Sequence, residues 1–502
     1  MIIAHDLGTT GNKASLHDES GRLLQAVTVS YPTRYAAGGV AEQDPDQWWH
    51  AVCEATHRLV AGGRARPEQV TAIGMSGQMM GAVFLDGALR PVGPALIWAD
   101  NRARQQAKRL AGRLGAERAY RILGHRIDAT YSLEKVMWVR ENEPERYART
   151  RHVCVAKDYV TWHLTGRLLT DRSDASGTNA YDQHVGDWSS EVLDAAELDR
   201  RLFPEIVEAT TVAGALTQEA ATELGLPRTV QVVVGGGDGP IAAVGAGVVE
   251  PGAGAYAYLG SSSWISLASE APLHDPQQRT MTFNHVVPGL FTPTATMVAG
   301  GASLEWWSDV VESRRGSGRV GAALEGADGV SASADGLYFL PHLLGERSPY
   351  WNPEASGAFV GLGRQHTRPH LVRAVLEGVA LNMRTNLMAF LEAGAEVPYV
   401  DAIGGGAASD VWLQLMADIW ERPVRRRSIV EEANSLGAAV TTAVAIGAAP
   451  DFGVATGLSE VTAEFIPRGD VDWVERHEIF LAAYRAVEPW FAGRFGPTGG
   501  PS

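Results

Sequence analysis

Four strand-like runs in this chain end in turns built almost wholly from glycine and other small residues, at positions 8–11, 235–239, 260–263 and 404–408. A strand that breaks into such a turn and restarts as a strand is a hairpin. One that restarts as an apolar run with helical spacing is a strand–helix unit, so the chain reads as α/β. A turn without large side chains also lets backbone N–H groups converge on an anion, with threonine and serine hydroxyls as further donors. The turns come in matched sets. "MIIAHDLGTTGNKASLHD" reads as strand, Gly/Thr turn, strand, with a second hairpin about "DESG", and "GAYAYLGSSSWISLASE" repeats the plan with a Gly/Ser turn. "TVQVVVGGGDGPIAAVGAG" and "YVDAIGGGAASDVWLQLMADIW" are each strand, glycine turn, helix. The repetition predicts two halves on one plan with a cleft between them. Two hairpin turns facing across that cleft would clamp a polyphosphate.

Length agrees, because 502 residues exceed what a single core holds. The net charge of −15 argues against nonspecific binding to nucleic acid or to an anionic membrane. Arg425-Arg426-Arg427 is therefore expected to be solvated surface rather than a phosphate track. Cys53 and Cys154 sit in apolar stretches and read as small core hydrophobes, with no disulfide framework or metal cluster implied. No basic segment precedes the first apolar run, Asp6 interrupts that run, and no 18-residue apolar stretch occurs elsewhere. A reducing, cytoplasmic setting is the expectation.

Two helices are legible from spacing. "DPDQWWHAVCEATHRLV" places Trp49, Val52, Thr56 and Leu59 on one face, with Asp46 as the expected N-cap. "TRPHLVRAVLEGVALNMRTNLMAFLEAG" runs a stripe through Val372, Leu376, Val379, Met383, Leu387 and Phe390, with Thr367 as N-cap and Pro369 in the first turn. "VTAIGMSGQMMGAVFLDGALRPVGPALIW" reads as strand, glycine turn and a hairpin about Asp86-Gly87.

Two aspartates stand beside the turns. Asp6 closes the first strand, where a carboxylate would hold Mg²⁺ through water. Asp238 follows three glycines and admits two readings: a helix N-cap, or the general base that takes a proton from an attacking hydroxyl. His5 reads as a satisfied core histidine. Competing phosphate motifs fail. Gly-Lys never occurs, so there is no P-loop; "IGGGAASD" lacks an acidic ribose partner on a following strand; and "DFG" at 451–453 has no kinase catalytic loop before it.

"DLGTTGNK", "SGQMMG", "WADNR", "KDY", "GGGDG", "LGSSS", "GERSPYWNP" and "GGGAAS" occur in the order and at the separations of the FGGY carbohydrate kinases. "GAFVGLGRQHTRPHLVRAVLE" and "SLEKVMWVREN" resemble the family's two signatures. The resemblance spans residues 1–485 and implies two actin/Hsp70-like (ribonuclease H-like) domains around a catalytic cleft: 1–242 for sugar, 243–485 for ATP, and 486–502 as a flexible tail. It further implies ATP and Mg²⁺, with Asp6 and Asp238 toward the metal and Asp238 as the base. Gly8, Thr9, Thr10 and Lys13 resemble the first phosphate turn, and Gly260, Ser261 and Ser262 the second. Gly300 and Gly301 lie where the family approaches the nucleotide, and Gly405, Gly406 and Asp410 resemble its adenosine-binding turn. Met79, Met80, Trp98 and Asp100, with Asp238, occupy sugar-contacting positions. The pattern is most similar to xylulokinases, which implies conversion of D-xylulose to D-xylulose 5-phosphate. Typical xylulokinases, however, read Met-His at Met79-Met80, and methionine cannot donate the hydrogen bond a histidine would. Gluconate, a tetritol or another ketopentose stay open, as does a non-catalytic sugar sensor on the same fold. Homodimers are common in the family, so a homodimer is the expected assembly if there is one.

Overall fold

The computed structural model of the chain describes residues 1–311, 326–428 and 432–493. Its first half opens on β1 (Ile2–Leu7), β2 (Gly11–His17) and β3 (Leu23–Ser30), an antiparallel meander. All six residues of β1 are buried, as expected of a strand covered on both faces. Helix α1 (Pro45–Ala61) follows, then β4 (Ala72–Gly77), which pairs parallel to β1. After α2 (Ser132–Asn142) come the short β5 (Val212–Ala215) and β6 (Gln231–Gly237). In space the sheet runs β5-β6-β4-β1-β2-β3, and β6 leads directly into α3 (Asp238–Gly245).

The second half repeats this. β7 (Ala255–Leu259) and β8 (Ser263–Leu267) form the opening hairpin, extended by β9 (Met281–Asn284) and β10 (Phe291–Met297). The long helix α4 (Arg368–Glu392) precedes β11 (Val400–Ile403), α5 (Asp410–Trp420), β12 (Val424–Arg427), α6 (Ala433–Ala445) and β13 (Val461–Phe465). The sheet order is β9-β10-β8-β7-β11-β12-β13. β7 and β11 are parallel, as β1 and β4 are, and each sheet ends on an antiparallel edge strand after two parallel ones. One strand plan is thus used twice, with β9 added at one edge.

Helices α3 and α6 each follow the second parallel strand of their sheet, and they cross at glycines. A Cβ on Gly245 would fall 1.9 Å from the Ala433 carbonyl oxygen, and one on Gly437 would fall 2.0 Å from that of Ile241. Helix α6 also lies on the first sheet, where Gly74 of β4 leaves room for Thr442. The apolar layer at this crossing joins Ile2, Ala4 and Ala72 to Ile241, Val244, Leu436 and Val440. The division expected at residues 242/243 falls inside α3.

Several expectations are corrected. The N-cap of α1 is Asp44, whose side chain accepts from the Asp46 amide; Asp46 lies two residues further in, within the first turn. The hairpin about Asp86-Gly87 is present but irregular, held by isolated antiparallel bridges from Leu85 to Pro91 and from Ala82 to Leu96, while the strand Val83–Leu85 takes His152–Cys154 as its regular partner. Arg425-Arg426-Arg427 is not solvated surface but strand β12, with Arg425 and Arg427 both paired to Asp401 and Arg426 to Asp410. A final helix, α7 (Trp473–Gly493), makes residues 486–493 of the expected tail helical, and 494–502 lie outside the described residues. Both cysteines are free, and the stripe of α4 is buried throughout.

Candidate active site

Both hairpin turns are prepared for an anion by the same device. In the first, the Gly8 carbonyl accepts from Tyr31 Oη at 2.5 Å. The Thr9 carbonyl accepts from Thr33 Oγ1 at 3.1 Å and Gln43 Nε2 at 2.6 Å. In the second, the Gly260 and Ser261 carbonyls accept from the amides of Gly301 and Ala302 at 2.8 and 3.0 Å. With the carbonyls tied back, no hydrogen bond among the described residues uses the amides of Thr9, Thr10, Ser261 or Ser262. Unpaired amides beside a cleft have the chemistry to receive an anion. Gly300 and Gly301 act from behind the second turn, so close that a Cβ on Gly300 would meet Ser263 Oγ at 2.1 Å.

The carboxylates stand where β1 and β6 end. Asp6 Oδ1 accepts from Ser76 Oγ at 2.8 Å and from Asn434 Nδ2 at 3.3 Å, the latter reaching in from the start of α6. Lys13 is its cross-strand neighbour. Burial raises the Asp6 pKa, against these two hydrogen bonds and the lysine charge. Asp238 is the first residue of α3 but not its cap, which is Gly237. The N-cap reading of Asp238 is thereby corrected; its Oδ1 accepts from the next amide, Gly239, at 2.8 Å. Burial first, and the Asp6 charge second, push Asp238 up to about 7. A carboxylate with that proton affinity suits general-base work at neutral pH. His5, behind this pair, is held by Asn12 at 3.0 Å, and burial lowers it to about 4, as a satisfied core histidine requires.

A cavity of about 250 Å³ opens beside Asp238. Of the residues singled out from sequence, Thr9, Met79, Met80, Trp98, Asp238 and Ser262 line it. Trp98 Nε1 donates to Thr9 Oγ1 at 2.8 Å, which ties the wall of the cavity to the first turn. Asp100 does not line it. That carboxylate is fully buried, accepts from the Ala41 amide at 2.9 Å and pairs with Arg102, which also holds Glu42. Gly405 and Gly406 sit at the end of β11, where a Cβ on Gly406 would meet Trp412 and Leu259 while one on Gly405 would face open space. Asp410 opens α5 and pairs with Arg426.

Sequence reasoning missed Gly239, Tyr258, Trp264, Met281, Phe283, Thr294 and Thr296, which complete the cavity, and it missed Asn434. The repeat held the signal for Asn434, because α6 stands to the second sheet as α3 stands to the first. Met281 and Phe283 carry no local mark, since β9 has no counterpart in the first half.

The carboxylate pair fits a divalent cation of the hard, oxygen-liking kind. Among the described residues no group of three or more His, Cys, Asp or Glu can hold a metal, so the protein offers at most Asp6 and Asp238. Mg²⁺ bound by one or two carboxylates completes its shell from phosphate and water.

Comparison with known proteins agrees with this geometry. The family model described as "FGGY family of carbohydrate kinases, N-terminal domain" matches residues 1–245, and the corresponding C-terminal domain matches residues 255–446. The chain is 34% identical over 496 residues to the xylulose kinase of Escherichia coli K12, covering 98% of this chain and 100% of that one. It is 29% identical to a gluconokinase of Bacillus subtilis, over 93% and 92% of the two chains. The crystal structure of a xylulose kinase from Rhodospirillum rubrum superimposes with a TM-score of 0.90 at 29% identity, over 98% and 99%. Among the described residues no helix is long and apolar enough to cross a membrane.

Proposed function

The chain belongs to the FGGY family of carbohydrate kinases and is itself a carbohydrate kinase with the family's two actin/Hsp70-like domains, and from that premise we propose that it transfers the γ-phosphoryl group of ATP to the terminal hydroxyl of D-xylulose. The observation that carries this is the position of Asp238, a carboxylate of raised pKa that lines the cavity beside the first phosphate turn.

Asp238 accepts the proton of the attacking hydroxyl, the new O–P bond forms in line, the bond to the β–γ bridging oxygen breaks, and ADP leaves. The amides of Thr9, Thr10, Ser261 and Ser262 face the phosphates, with Lys13 adding charge at the first turn. Gly300 and Gly301 support the second turn, and Gly405, Gly406 and Asp410 form the adenosine end. Asp6 and Asp238 would hold Mg²⁺, which supplies positive charge to the transferring group. Met79, Met80 and Trp98 shape the sugar side. Asp100 acts one step removed, through Arg102 and Glu42.

Gluconate is the second reading, favoured by the gluconokinase relative, while Met80, which offers the sugar no hydrogen bond, weakens the case for D-xylulose. The test is ADP release by the purified protein with Mg-ATP against ketopentoses, pentitols, tetritols and gluconate, alongside Asp238→Ala. D-xylulose is expected to give the highest kcat/KM, lost in the variant. Preference for gluconate would replace the substrate, and sugar retention without turnover would make the protein a sensor.

A further inference from the structure

Met80 holds a backbone conformation that a methionine avoids. Its φ is 64°, in the left-handed region where side chains other than Gly, Asn and Asp are uncommon. Such a residue persists where its surroundings over-determine it. Here they come from the first turn of α2. Lys135 Nζ donates to the Met80 carbonyl at 3.0 Å, and Ser132 Oγ donates to the next carbonyl, Gly81, at 2.7 Å. The same Nζ also reaches the carbonyls of Thr130 and Tyr131. An ammonium has three donors, and here all three meet backbone oxygens.

The Lys135 side chain is fully buried, and among the described residues no carboxylate ion-pairs with it. The charged groups around it are otherwise engaged. Asp100 is paired with Arg102, and Asp128 accepts from Thr130 Oγ1 at 2.6 Å. Glu134 accepts from Asn179 at 2.8 Å, and Arg347 lies over the Trp98 ring. A buried cation kept for three carbonyls costs more than a neutral side chain would unless the loop it holds needs holding.

We propose that Lys135 is a positioning residue for the sugar: its ammonium holds the Met80 backbone in the left-handed region, so that the Met80 side chain forms the cavity wall and sets sugar affinity without touching sugar or ATP. This rests on the reading of the cavity as the sugar site. Burial lowers Lys135 to about 7. As pH rises past that value the amine loses one N–H and turns a lone pair toward the carbonyls, so the loop loosens.

The test compares wild type with Lys135→Met by steady-state kinetics on D-xylulose and ATP. The expected result is a KM for D-xylulose raised about tenfold or more, the scale of one charged hydrogen bond, with the KM for ATP unchanged. An unchanged sugar KM, or equal rises in both, overturns the proposal. Should Lys135→Met not fold, D-xylulose binding to Asp238→Asn, read by tryptophan fluorescence, decides. That background removes the titration of Asp238, whose ionisation would favour sugar as pH rises. Affinity is expected to fall between pH 6.5 and 8.5, and a flat profile overturns the proposal. A crystal structure of Lys135→Met separates this failure from failure of the D-xylulose reading: Met80 is expected to leave positive φ, and Met80 still at positive φ refutes the inference whatever the substrate.

Discussion

At one strand position the two halves of this protein differ in kind. Two residues before its turn, β1 carries Asp6 opposite Lys13 of β2. Two residues before the matching turn, β7 carries Tyr258 opposite Trp264 of β8, and the two rings stack 4.1 Å apart. The fold, the register and the tied-back carbonyls are shared, yet one half presents a charge pair and the other an aromatic pair. The difference teaches how a duplicated scaffold divides labour. On the proposed function, turns of backbone amides receive phosphate in either half, because that property belongs to the main chain. Carboxylates are useful on one side only, since a second set facing the same polyphosphate would repel it. The second half spends the equivalent position on the cavity wall instead.

The sharpest way to break this comparison is to neutralise the charged half. Asp238→Asn is expected to lower kcat by about 10²–10⁴-fold, read as ADP release. The same variant carries a stability signature. The native pKa is raised from 3.8 to about 7, so below the lower value both states are protonated and the group costs nothing. As pH rises between the two values the unfolded state ionises first and native stability is lost. In EDTA, therefore, the melting temperature of Asp238→Asn should exceed that of wild type by a margin that grows from about pH 4 to pH 7 and is level above. A margin that is constant with pH would remove the raised pKa from the account. Next in size, Asp6→Asn is expected to cost about 10–100-fold, mainly as a higher Mg²⁺ requirement, on the scale of groups that act on a metal through its bound water. A Mg²⁺ titration of activity checks it. Smallest, Trp264→Leu removes an aromatic pair valued at about 0.5–1.5 kcal/mol, so the sugar KM should rise a few-fold with kcat nearly unchanged. A large loss of kcat would place Trp264 in the charged machinery and erase the contrast.

Much of this was legible in the sequence where chemistry is local. A turn such as Gly8-Thr9-Thr10-Gly11 has few conformational alternatives, and the 3.6-residue stripe of α4 needs no partner to be recognised. Duplication was legible because both hairpins and both strand–helix units repeat within the chain. What escaped depends on partners distant in sequence. Asn434 meets Asp6 across 428 residues. Arg425 and Arg427 look like a surface charge run until Asp401 is placed on the neighbouring strand, opposite Arg425, where its carboxylate accepts from both. Asp100 was expected at the sugar because the "WADNR" segment resembles the family's sugar-contacting positions, but its buried carboxylate is engaged by Arg102 and the Ala41 amide. Lys135 was visible only as one residue of a signature, since nothing local says that its amine caps a loop some fifty residues earlier.

The place of α6 also has a consequence in time. The ribosome finishes the last strand of the first sheet at Gly237, yet the helix that covers part of that sheet begins at Ala433. At a synthesis rate of about 5–20 residues per second, the nascent first half waits roughly 10–40 s with Ile2, Ala4, Ala72 and Ile241 short of their partners. This chain cannot be completed module by module in the order it is made: its beginning becomes native only when its end arrives.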